Sequence, residues 1–107
     1  MDPAQFYEID HMAEQHQQQI QIRASDADLK GVYSNSMRVT HTQEEFILDF
    51  FNITPPTGIL ASRVILSPGH LKRVMDALQD NMKKYEERFG KIQPAEGPQG
   101  GEIGFRV

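Results

Sequence analysis

The chain has 107 residues, carries a formal net charge of -4 and contains no cysteine. That length is room for one domain, the lack of cysteine excludes disulfides and thiolate metal sites, and the acidic balance argues against nucleic acid as a partner. No apolar run approaches the roughly 18 residues that a membrane-spanning helix needs, and residues 1–10 lack the basic and apolar regions of a secretory signal, so the expected location is cytoplasmic and no membrane is involved.

Residues 1–17 admit two readings. Asp2-Pro3 can cap and start a short helix with Gln5 at the capping-box position, which puts Phe6, Ile9, Ala13 and His16 on one face. The polar, glutamine-rich run 15–19 reads instead as a mobile arm. Residues 19–24 then alternate polar and apolar, the pattern of a half-buried strand, and Ser25-Asp26-Ala27-Asp28 is a turn signal. A second strand spans residues 32–40, with Tyr33, Met37 and Val39 on one phase and Ser34, Ser36, Arg38 and Thr40 on the other. The short link 42–44 predicts a hairpin into a third strand over residues 46–54. After the break at Pro55-Pro56-Thr57-Gly58 comes an apolar fourth strand, residues 59–66. Ser67 is the N-cap of a helix with Pro68 at its first position, where the missing N–H costs nothing. That helix runs to Phe89 and stops at Gly90. Residues 93–101 have the Pro/Gly composition of a linker, and the chain ends in Glu102-Ile103-Gly104-Phe105-Arg106-Val107. The expected fold is α+β: a four-stranded antiparallel meander followed by one long C-terminal helix packed on the sheet. Residues 18–90 form the domain, between an arm (1–17) and a tail (91–107).

The third strand poses the main problem for such a fold. Phe46, Leu48 and Phe50 point one way, while Ile47, Phe51 and Ile53 point the other, beside Glu45 and Asp49. One helix covers one face, which leaves the second face wet unless a partner covers it. The helix repeats the question. Leu71, Met75, Leu78, Met82, Tyr85 and Phe89 follow a 4-3-4-3-4 spacing, a heptad seam that serves either the chain's own sheet or a symmetry mate. At 1.5 Å per residue the helix is roughly 32 Å long, enough for its distal end to overhang the sheet. The expected partner is therefore a second copy of the chain, meeting it at Ile47, Phe51, Ile53, Met82, Tyr85 and Phe89. A further partner is expected through Ile103, Phe105 and Val107 on their Pro/Gly tether, which suit docking into a groove or a sheet edge.

No constellation of residues points to catalysis, a metal or a cofactor. The four histidines (His11, His16, His41, His70) form no helical metal pair, and His41 and His70 read as hairpin and helix-start residues. Glu45 and Asp49 share a strand face but gather no third ligand, so they read as a solvated rim. Ser34 and Ser36 lack a nucleophile-elbow context.

The blocks Val32-Tyr33-Ser34-Asn35, Thr40-His41-Thr42-Gln43-Glu44-Glu45-Phe46-Ile47-Leu48-Asp49-Phe50, and Arg63-Val64-Ile65-Leu66-Ser67-Pro68 leading into the helix resemble an uncharacterised bacterial and archaeal family, the domain of unknown function 3467. The resemblance covers about residues 18–90. Gly69 stands where members commonly carry an acid. The family has no assigned activity, so the resemblance implies no catalytic residues. The element order is also similar to that of the export chaperone SecB, at the level of fold alone. Together these readings imply a non-enzymatic homo-oligomeric interaction module. A SecB-like holdase and a ligand-binding or enzymatic protein with a site between subunits are the alternatives.

Overall fold

The computed structural model describes residues 18–98 and 103–106, which fall into two compact units, one ending at Gly31 and the other beginning at Val32. The arm over residues 1–17, with His11 and His16, lies outside the described residues, as does Val107.

In the first unit the expected strand over residues 19–24 is not formed. Those residues have no ladder partner among the described residues, and Ile20 and Ile22 are 80% and 83% exposed. Alternation marks a segment that could be half-buried, but a strand exists only where a neighbour accepts its hydrogen bonds. The expected turn is a one-turn helix, α1 (Asp26–Lys30), closed by a reciprocal capping box. The Asp28 N–H donates to Ser25 Oγ (3.1 Å), and the Ser25 N–H donates to Asp28 Oδ2 (3.0 Å). These bonds from Ser25 hold the Asp28 carboxyl below its ordinary value.

The second unit contains a three-stranded antiparallel sheet and a long helix. Strands β1 (Ser36–His41), β2 (Phe46–Thr54) and β3 (Thr57–Leu66) follow one another in the order β1-β2-β3. The β1–β2 hairpin closes where Thr42 N–H donates to Glu45 O (2.9 Å) and Thr42 Oγ1 accepts from the Glu44 and Glu45 N–H groups. His41 ends β1 with its ring 5.2 Å from that of Phe46. The β2–β3 link is Pro55-Pro56, joined by a cis peptide bond, and β3 starts two residues earlier than the sequence pattern implies.

The N-terminal end of β1 is lengthened by a side chain. Asn35 Nδ2 donates to Ile53 O and its Oδ1 accepts from Ile53 N–H, both at 2.9 Å, while the Asn35 backbone N–H donates to Phe51 O. The carboxamide thereby offers Ile53 the donor and acceptor that a further peptide group would offer. Ser34 Oγ donates to Phe51 O (2.9 Å) beside it. In β3 the pairing shifts between Phe50 and Phe51, which face Ser62 and Leu60, so Ala61 is an extra bulged residue.

Helix α2 (Pro68–Phe89) has the expected limits. Ser67 Oγ accepts from the His70 N–H (3.2 Å), and Gly90 ends the helix at φ 95°, a conformation that side chains with a Cβ rarely adopt. Its expected packing on the sheet is not found. None of its residues is buried, and it has only marginal contact with the strands. The reason is the connection: Ser67 alone joins Leu66 to Pro68, whereas strand–helix links that fold back commonly need 2–6 residues.

Asn35→Ala removes both side-chain bonds to Ile53. We expect it to lower stability by about 1 kcal/mol in urea unfolding, with helix content unchanged. Asn35→Asp keeps the acceptor alone and should fall between wild type and alanine.

Candidate functional site

Directly paired residues of antiparallel strands share a face. Asp49 of the central strand pairs with Arg38 on one side and Arg63 on the other. The three therefore form a row across the full width of the sheet. Asp49 is the most buried residue described, at 1% exposure, so the expectation that it sits on a solvated rim is overturned; Glu45 is exposed. Arg63 grips the carboxylate with both ends of its fork, Nε to Oδ1 at 2.6 Å and Nη2 to Oδ2 at 3.0 Å. Arg38 Nη2 reaches Oδ2 at 3.4 Å. The hydrogen bonds from Arg63 hold the Asp49 carboxyl below its ordinary value; burial opposes them, and the charges of Arg63 and Arg38 add to the lowering. Asp49 in turn raises the Arg63 guanidinium.

Two positive charges against one leave this row with an excess of +1. Arg38 Nε is buried and finds no acceptor among the described residues. Both guanidinium carbons lie over aromatic rings. Arg38 lies 4.8 Å from the ring centre of Phe105 and 5.9 Å from that of Phe51, and Arg63 lies 5.8 Å from Phe105. The two rings are 5.9 Å apart and tilted by 38°. Phe51, at 4% exposure, is the buried apolar side chain among the described residues of the unit. A cleft of about 740 Å³ runs beside it, lined among others by Ile53, Leu60, Ile103 and Phe105.

Two groups of residues singled out in the sequence thus meet. Phe51 was placed on the face awaiting a partner, and Phe105 on a segment seeking a groove; in the structure Phe105 lies on Phe51 of the same chain. Ile47 and Ile53 share that face and are half-buried. Met82, Tyr85 and Phe89 sit apart on α2, all exposed, with the Tyr85 and Phe89 rings 4.9 Å apart. The opposite sheet face carries Met37, Val39, Phe46, Leu48, Phe50 and Val64; it was assigned to the helix and stays uncovered by it. The sequence offered one signal for the clamp, the single acid and two arginines at interior strand positions, but it required the register to align them.

Among the described residues no group of three metal-ligating side chains comes together, and no helix is long and apolar enough to cross a membrane. His70 is exposed and paired with Arg73 at 3.0 Å.

Fold and site together define a small α+β domain whose three-stranded sheet carries an arginine–aspartate–arginine row under an aromatic contact. The chain belongs to the family described as protein of unknown function (DUF3467), whose profile it matches over residues 7–94. No curated protein and no solved structure matches it, so the likeness to SecB is not shown.

A carboxyl held below its ordinary value stabilises the fold fully above that value and loses its contribution as pH falls through the lowered one. Acid titration of the urea midpoint should therefore be flat above the ordinary 3.8 and fall below it. Asp49→Asn should lower the midpoint at neutral pH and flatten that acid limb, and an undiminished limb would take Asp49 out of the account.

Proposed function

We propose that the protein is a non-enzymatic, homo-oligomeric protein-interaction module. The observation that carries this reading is the seam of α2. Met75, Leu78, Met82, Tyr85 and Phe89 lie on one stripe at heptad spacing, and each is 48–65% exposed. Full burial of such a side chain is worth about 1.5–3 kcal/mol. Covering the exposed half of five of them therefore recovers about 4–8 kcal/mol, comparable with the whole stability of a small domain. A second copy presents the same stripe, which makes the contact self-complementary in the way a two-fold dimer requires. A cytoplasmic location is part of the proposal and rests on the cysteine-free composition.

The sheet face bearing Met37, Val39 and Val64 supports a second reading. If it remains open after the helices pair, it offers an apolar surface of the kind a holdase uses. Suppression of aggregation of an unfolded client at stoichiometric amounts tests that reading, and no suppression removes it.

Light scattering across a dilution series tests the main proposal. We expect a mass of at least twice the chain. Tyr85→Glu, which puts a charge in the middle of the distal seam, should shift it to the mass of one chain while leaving the sheet intact. A wild-type monomer at every concentration would overturn the reading.

A further inference from the structure

We propose that the row Arg38–Asp49–Arg63 over Phe51 is a docking site for a short extended segment of a partner protein, one that carries an aromatic side chain next to an acidic one, and that this chain's own tail occupies the site as a tethered competitor.

The platform is assembled by the strand register. Asp49 is buried and fixes both guanidiniums from the centre of the sheet, so they and the Phe51 ring frame a place for a second aromatic ring. The occupant is of a different character. Phe105 is 52% exposed, and it is held by one tilted ring contact and by two guanidinium carbons over its ring. Arg38, Asp49, Phe51 and Arg63 all lie inside the matched family domain, residues 7–94, whereas Phe105 lies outside it. The platform therefore belongs to the domain and the tail is an addition to it.

Charge identifies the occupant that would fit better. The row keeps an excess of +1, and Arg38 Nε is buried with no acceptor among the described residues. The tail brings Arg106, a cation, next to its aromatic residue. A segment with a carboxylate in that place would neutralise the excess and give the guanidinium a charged acceptor. The cleft beside Phe51 leaves room for an aliphatic residue two positions before the aromatic one, as Ile103 stands in the tail. This inference uses none of the helix-seam residues and stands whether or not the chain oligomerises.

The test uses the full chain and two fluorescein-labelled peptides: residues 99–107 of this sequence, and the same peptide with Arg106→Glu. Binding is read by anisotropy, and the mass of each sample by light scattering. Phe105→Ala in the protein removes the competitor and should tighten binding of the acidic peptide by about tenfold, as expected where the tail fills the site nine-tenths of the time. The acidic peptide should bind more tightly than the unaltered one. Arg38→Gln added to Phe105→Ala should abolish the gain. Should Phe105→Ala disturb folding by circular dichroism, Phe105→Leu keeps the bulk without the ring and should give the same gain. No gain in either variant, or equal binding of both peptides, overturns the proposal. A fall in oligomer mass with Phe105→Ala would also overturn it, since the occupant would then be the tail of a second copy.

Discussion

A single carboxylate organises this sheet. Asp49 sits on the central strand with an arginine directly across from it on either side, so each hydrogen-bonded pair of strands is also tied by a charge-assisted contact. A lone buried carboxylate would be driven to protonate, and two adjacent guanidiniums would repel; the arrangement is tolerable only as a set of three. The row also explains why the apolar core of this unit is so slight. Where a larger domain would place a layer of aliphatic side chains, this one places an ionic row with Phe51 beside it. The bulge at Ala61 keeps Arg63 and Leu60 on the same face as Asp49 and Phe51, at the point where strict alternation would have turned one of them away.

Local signals in the sequence carried far, and their limits are instructive. The helix from Pro68 to Phe89 was legible to the residue because both of its ends are chemical: a serine N-cap followed by proline, and a glycine after the last turn. The span of β2 was equally plain from its bracketing acids and prolines. What the residues could not show was pairing. The alternation of residues 19–24 describes a face without a neighbour to form it, and the capping box of α1 hid because its third residue is aspartate and its helix only a turn long. The site was missed for the same reason. Arg38, Asp49 and Arg63 are 11 and 14 residues apart, and only the register puts them in one row.

Surfaces that a larger protein would hide are here left to water on both the helix and the sheet. A one-residue link sends α2 away from the strands, so its stripe and the sheet face with Met37, Val39 and Val64 cannot satisfy each other within the chain. The tail, by contrast, returns to the sheet and covers Phe51. Apolar surface is thus divided into a part the chain closes itself and a part offered outward, and the ionic row lies on the closed side.

The strand order has one more consequence. With β2 in the middle, β3 is an outer strand ten residues long with no further strand beside it among the described residues, and such an edge is a template on which another chain can build. Its sequence from Ile59 to Leu66 is a run of aliphatic and small residues broken by a single charge, Arg63, the composition from which ordered aggregates grow. Arg63, the clasp of Asp49, is also the one charge that interrupts this run, so the same guanidinium that ties the sheet supplies the break that such a sequence calls for.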